Sequence, residues 1–386
     1  MTIILIILLL IIAVLGYDLW DEFYVWLSRI KVGRLSQEEW QKKTRKILGD
    51  WLRKGAPEVP IRENESVRFI KKINNYGKIT SVTYWQDAAL LKAASCTEVD
   101  YSDEIEGFVA RYINQATGEW RIMPKKIDSS MLGFELLSSK YTDSEKIKPA
   151  MDFTAEMLKK ADEEYGTVPY NNDVAECRFV DTTGMICPFL MKYAVVYGQD
   201  EYIELAMRQI REYREHGVND RFKIPYHCFK KETFEQLGAC GWGRGCGWWA
   251  VGLTDSLRSL LEADGHNAEK AELLKLDMEL LDAVKGYIYE DGTVSRMLFC
   301  KSDQDSSACA MLAYCYAFIG KLIENEEYKA LAVKMRDKLR SVTLRNGVVD
   351  FSQGDTHSIG FYSERLCVVP AAQGFAIAAD EMIEAF

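Results

Sequence analysis

Three aspartates, Asp128, Asp181 and Asp305, are each followed by two hydroxyl residues and then by a nearly wholly apolar stretch. Such an Asp can cap a helix, its short side chain accepting from the free backbone N–H groups of the first turn. It can equally present a carboxylate at a helix mouth, where one of two paired carboxyls is held protonated for general acid work while the other stays charged. For Asp128 and Asp181 both readings stand. Glu176, Arg178 and Phe179 crowd charge and an aromatic ring around Asp181. A second cluster is Gly241-Trp242-Gly243-Arg244-Gly245-Cys246-Gly247-Trp248-Trp249. Its alternating glycines let a backbone come close to a ligand, and a guanidinium between rings suits a planar anion flanked by sugar-stacking surfaces. A Gly-rich packing turn with a cation–π pair is the plainer alternative. No nucleotide loop is present here, because the GxGxxG spacing fails at Cys246 and no Gly-Lys-Ser/Thr follows. His227 lies in the loop before this cluster, either as a site residue or as a structural hydrogen-bonder. His357, in Gly354-Asp355-Thr356-His357-Ser358, lies in a loop before the last apolar stretch and is a further candidate for the same mouth.

The elements that must carry these residues follow from a repeat. Segments beginning at Ile127, Val180 and Gln304 share one plan: Asp and hydroxyls, an apolar helix, a tight acidic turn, then an amphipathic helix with Lys and Glu outward. An all-apolar helix is buried on every side, and an amphipathic one covers it. Further units start near 80, 245 and 368, so the spacing predicts six inner helices. The chain is therefore expected to be all-α, an (α/α)6 barrel of helical hairpins, with an open solenoid as the alternative. Residues 38–54 and 63–74 read as peripheral amphipathic helices, and the latter is taken as the twelfth of the ring. The N-termini of the inner helices then converge on one mouth, where backbone donors favour anions.

Residues 3–16 form an uncharged apolar run followed by Tyr17, Trp20, Tyr24 and Trp26. With no charged segment before it and no small-residue cleavage site after it, the run is read as an uncleaved membrane anchor. Residues 1–33 are thus expected to be an anchor with an amphipathic juxtamembrane segment, and residues 34–386 a single catalytic domain. The basic residues that follow the run place this domain on the cytoplasmic side. The 386 residues carry 48 Lys+Arg against 58 Asp+Glu, a net charge of −10 that argues against nucleic acid as a partner. The ten cysteines are scattered, and Cys240/Cys246 and Cys309/Cys315 are six apart without histidine pairs beside them, so neither a disulfide framework nor a metal site is expected.

Taken in order, Asp128, Phe179-x-Asp181, His227, Trp242-x-Arg244-x-x-Gly247-Trp248 and Asp305-Ser306-Ser307-Ala308-x-Ala310-Met311 resemble the unsaturated glucuronyl and rhamnogalacturonyl hydrolases of glycoside hydrolase families 88 and 105. The resemblance runs from about residue 81 to 386, and it implies an (α/α)6 barrel. It also implies removal of a 4,5-unsaturated uronic acid from lyase-generated oligosaccharides by hydration of the C4=C5 bond, without a cofactor. By that similarity Asp181 gives a proton to C4 and Asp128 orients water or substrate hydroxyls. His227 and Arg244 contact the uronate ring, and Trp242, Trp248 and Phe179 wall it in. The alternatives are another (α/α)6 carbohydrate enzyme, an inverting glycosidase or a lyase, and a membrane-tethered sugar-binding protein without turnover.

Overall fold

Apolar runs bounded by caps and turns give helix after helix along this chain. The computed structural model describes residues 2–57, 59, 84–300, 304–356 and 358–386. Helix α1 spans Thr2–Arg29 and α2 spans Gln37–Lys54. The start of α2 is a capping box, Ser36 Oγ accepting from Glu39 N at 3.2 Å and Glu39 Oε2 accepting from Ser36 N at 3.1 Å. There follow α3 (Tyr84–Cys96), α4 (Ser102–Tyr112), α5 (Ser129–Ser138), α6 (Ser144–Tyr165), α7 (Val180–Tyr197), α8 (Glu201–His216), α9 (Gly243–Leu260), α10 (Asn267–Lys285), α11 (Ser306–Leu322), α12 (Glu326–Ser341) and α13 (Pro370–Glu384).

The apolar members α3, α5, α7, α9, α11 and α13 form the inner ring. Each packs on the next, and α13 packs back on α3, so the ring is closed and the open solenoid is excluded. In α11 every residue from Ser306 to Ala317 is buried, as an inner helix surrounded by others requires. Among the described residues the outer members are α2, α4, α6, α8, α10 and α12, the last five each following an inner helix directly in the chain. The twelfth ring helix is therefore α2, while the helix expected at 63–74 lies outside the described residues.

The ring interior is not wholly apolar. Lys92 Nζ lies 2.8 Å from Glu135 Oε1 and 3.0 Å from Asp255 Oδ2, and the Tyr314 hydroxyl donates to Asp255 Oδ1 at 2.6 Å. This buried cluster ties α3, α5, α9 and α11 together. Among the described residues, two small antiparallel sheets also decorate the helical frame. One comprises β1 (Cys177–Phe179), β2 (Cys228–Lys230) and β3 (Gln236–Leu237), with Phe179 opposite Cys228. The other pairs β4 (Ser352–Gln353) with β5 (Leu366–Cys367).

The expected membrane anchor must be corrected, and with it the membrane partner and the cytoplasmic placement derived from it. Among the described residues no helix is long and apolar enough to cross a membrane. The apolar run offers roughly 24 Å of helix at ~1.5 Å per residue, short of a ~30 Å hydrocarbon core. Helix α1 also continues beyond it to Arg29, whose fork docks on the barrel. Arg29 Nε and Nη2 donate to Asp350 at 2.7 and 2.9 Å, and Nη2 also donates to the Leu366 carbonyl at 2.8 Å.

Candidate active site

The first turns of α7 and α9, the β1–β2 pair and the loop after β4 enclose a cavity of about 210 Å³. Its lining includes Trp85, Phe179, Asp181, His227, Trp242, Arg244, Trp248 and Asp355. Asp128 is not part of this lining. It sits at the head of α5, near enough for its charge to add to the burial that raises the Tyr84 and Tyr170 hydroxyls.

Capping separates the three repeat aspartates. Asp305 caps α11: its Oδ1 accepts from Ser307 N at 2.9 Å, Ser307 Oγ at 2.6 Å and Gln353 N at 3.0 Å. Ser306 Oγ donates to the Asp350 carbonyl at 2.6 Å. The Asp-Ser-Ser segment is thus occupied in holding the loop that runs into β4. Asp128 makes no side-chain cap hydrogen bond, and its Oδ1 is buried with no partner. Asp181 lies inside the first turn of α7, whose N-cap is Phe179. These two carboxyls are therefore not serving as caps.

Burial sets their protonation. It pushes Asp181 up to about 7, with Asp355 adding to the rise and the Asp181 backbone N–H and Arg244 opposing it. It pushes Asp128 up to about 6, against Lys126 and the backbone N–H groups of Asp128 and Ser129. His227 is lowered to about 4 by burial and by the Arg244 charge, so its imidazole is neutral at ordinary pH. Its Nε2 stands 3.7 Å from Asp181 Oδ2.

The aromatic residues brace one another. Trp242 lies with its centroid 4.9 Å from the His227 ring, and Phe179 lies 5.3 Å from the same ring. Trp248 meets Trp85 edge to face at 5.5 Å. Arg244 is 2% exposed, and its fork faces the protein. Nη1 donates to the Gln353 carbonyl at 2.6 Å and Nη2 to the Gly354 carbonyl at 2.8 Å, which fastens the loop carrying Asp355 and Thr356. The glycines around it serve packing. A Cβ on Gly243 would come 2.5 Å from the Ser295 carbonyl, and one on Gly245 2.7 Å from the Trp242 ring. Arg178 is likewise turned inward, donating to Thr167 Oγ1 at 2.6 Å and the Ala175 carbonyl at 2.7 Å.

Asp355, Tyr362 and Trp85 were not singled out in the sequence. The Gly354–Ser358 loop does reach the cavity, through Asp355, Thr356 and Ser358. His357 within it lies outside the described residues.

The family model described as Glycosyl Hydrolase Family 88 matches residues 64–374. The chain belongs to glycosyl hydrolase family 88. Among solved structures it is similar to a possible member of GH105 family from Klebsiella pneumoniae subsp. pneumoniae MGH 78578, with TM-score 0.73 and 15% identity over 92% of this chain and 95% of that one. An unsaturated glucuronyl hydrolase specific for heparin aligns with TM-score 0.65 and 13% identity over 91% and 98%. The unsaturated glucuronyl hydrolase responsible for degradation of glycosaminoglycan from Bacillus sp. GL1 aligns with TM-score 0.62 and 17% identity over 88% and 96%. At these identities the likeness speaks for the fold. No curated protein sequence matches the chain significantly. Family membership makes the protein a glycoside hydrolase with an oligosaccharide substrate.

Proposed function

We propose that the protein removes a 4,5-unsaturated uronic acid from the non-reducing end of lyase-generated oligosaccharides by hydrating the C4=C5 bond, with Asp181 as the acid. The observation that carries this reading is a carboxyl raised to about 7 inside an aromatic-walled cavity. A group that is neutral near pH 6.5 can protonate an enol ether, whereas an exposed aspartate is already ionised there.

The Asp181 proton goes to C4, and the C4=C5 electron pair forms the new C–H bond. The resulting C5 cation is shared with the ring oxygen. Water adds at C5 and its proton passes to a carboxylate, giving a hemiketal. The hemiketal opens to a C5 ketone, and the ring oxygen becomes a hydroxyl on C1. C1 is then a hemiacetal and expels the remaining sugar as an alcohol. One water is consumed and no redox partner is needed. Asp128, raised only to about 6 and so ionised more readily than Asp181, is assigned the orienting of the water from the head of α5, beside the cavity lining rather than within it. Trp242, Trp248 and Phe179 exclude solvent and wall the ring, and His227 faces its polar side. Arg244 serves by holding the Asp355 loop in place.

The test is a panel of unsaturated uronyl disaccharides and their saturated counterparts, incubated with the full chain and followed by chromatographic release of the second sugar. Release from unsaturated members alone is expected. Release from a saturated counterpart at a similar rate overturns the hydration chemistry in favour of an ordinary glycosidase. Binding of the unsaturated sugars without release points to a sugar-binding protein.

A further inference from the structure

Asp181 gives up a proton most readily if a donor meets the carboxylate left behind. The guanidinium in the cavity lining is not free for that task, because its fork faces the Gln353 and Gly354 carbonyls. The nitrogen facing the carboxyl is His227 Nε2, 3.7 Å from Asp181 Oδ2. Whether that nitrogen bears hydrogen is decided on the far side of the ring.

There His227 Nδ1 lies 3.1 Å from the Tyr362 hydroxyl, which accepts the Ala239 N–H at 2.8 Å. A phenol has one proton to give. If Tyr362 donates it to Nδ1, all three groups are satisfied and the neutral ring carries its hydrogen on Nε2. If Nδ1 instead donates to Tyr362, the phenolic proton of this half-buried residue has no acceptor among the described residues and is left to solvent, so the first arrangement makes one more hydrogen bond within the protein.

The surroundings fix this geometry. Trp242 and Phe179 hold the imidazole, and the Tyr362 ring lies 5.3 Å from both the His227 and Trp242 rings. Gly238 has φ +74°, and a Cβ there would fall 2.7 Å from His227 Cβ and 3.0 Å from the Tyr362 hydroxyl, so the chain leaves room for this contact.

We propose that Tyr362 is a positioning residue that locks His227 in the Nε2–H tautomer, aiming that N–H at Asp181 to stabilise its carboxylate as the proton leaves. The catalytic half of this role rests on Asp181 being the acid of the proposed function, while the tautomer does not.

The experiment is long-range ¹H–¹⁵N correlation of the full chain at pH 7 alongside steady-state kinetics of Tyr362→Phe. With 4 histidines in the sequence, the His227 signals are assigned by their loss in His227→Gln. Expected are a bare Nδ1 and a protonated Nε2 in the native protein, and a mixture of tautomers in Tyr362→Phe. That variant is also expected to lose about tenfold in kcat with KM little changed, the equivalent of one hydrogen bond. A protonated Nδ1 in the native protein overturns the proposal even if the variant does not fold. An unchanged tautomer or unchanged kcat in a folded Tyr362→Phe overturns it too. The expected tautomer shift with no turnover of any unsaturated substrate, by the native protein included, supports the lock and overturns the functional reading instead.

Discussion

Replacing Arg244 with Lys keeps a positive charge beneath the cavity and removes the fork. The native guanidinium makes two short bonds to backbone carbonyls, 2.6 Å to Gln353 and 2.8 Å to Gly354, and a Lys ammonium at the same Cα reaches one of them at best. Hydrogen bonds to charged groups contribute about 1.5–3 kcal/mol each, and the abandoned carbonyl is left buried. A loss of about 2–4 kcal/mol is expected for Arg244→Lys. With an unfolding entropy of about 2.1 cal/mol/K per residue, this corresponds to roughly 3–5 °C in Tm for a chain of this length. The freed loop carries Asp355 and Thr356 into the cavity, and a displacement of about 1 Å there is worth up to a hundredfold in rate. Urea and thermal unfolding, with kcat and KM measured in parallel, read all three quantities. The expected pattern is lower stability and a kcat down at least about tenfold. A stability unchanged within about 0.5 kcal/mol, with KM alone raised, would mean that Arg244 grips the substrate's carboxylate, and the loop-fastening argument would fail.

The pH profile of kcat/KM is expected to be a bell with limbs near 6 and 7, since Asp128 must ionise and Asp181 must stay protonated, while His227 is neutral above about 4. Asp355 raises both carboxyls, so Asp355→Asn lowers both and slides the bell to lower pH; a shift the other way contradicts the electrostatic reading. Lys92→Met removes the cation in contact with both Glu135 and Asp255, leaving only the more distant Arg258 charge among those acting on Glu135, and is expected to cost about 3–5 kcal/mol by urea unfolding; a neutral result would mean the cluster is dispensable. Gly374→Ala places a Cβ 2.2 Å from the Ala89 carbonyl at the α13–α3 seam that closes the ring. It is expected to destabilise by about 3 kcal/mol, read from its thermal midpoint.

The inner ring was legible because burial on all sides demands long apolar runs, and these stand out at Tyr84, Ser129, Val180, Gly243, Ser306 and Pro370. Closure was legible only through the repeat. Asp181, His227 and the Trp242–Trp248 cluster, which line one cavity, stood out because unusual residue types gather beside helix starts. What escaped comes from loops, where no periodicity marks a side chain's direction. Asp355 reaches the cavity, and Tyr362 the back of the His227 ring, from the loop between β4 and β5, strands of two residues each with too little pattern to read. Local chemistry also misled in places. Three Asp-hydroxyl starts look alike, yet only Asp305 caps through its side chain. The alternating glycines suggested a ligand and instead admit Ser295, Trp242 and Met311. The apolar run at the N-terminus met the composition of an anchor and missed its length.

The central claim is that Asp181 protonates the substrate's double bond. It is tested most directly by following the alkene's ultraviolet absorbance in one unsaturated uronyl disaccharide at pH 6.5, with the native protein and with folded Asp181→Asn. Absorbance that decays with the native protein, more slowly in D₂O, and stays constant with Asp181→Asn is the result predicted. Release of the second sugar while the absorbance persists, or undiminished decay with Asp181→Asn, would contradict it.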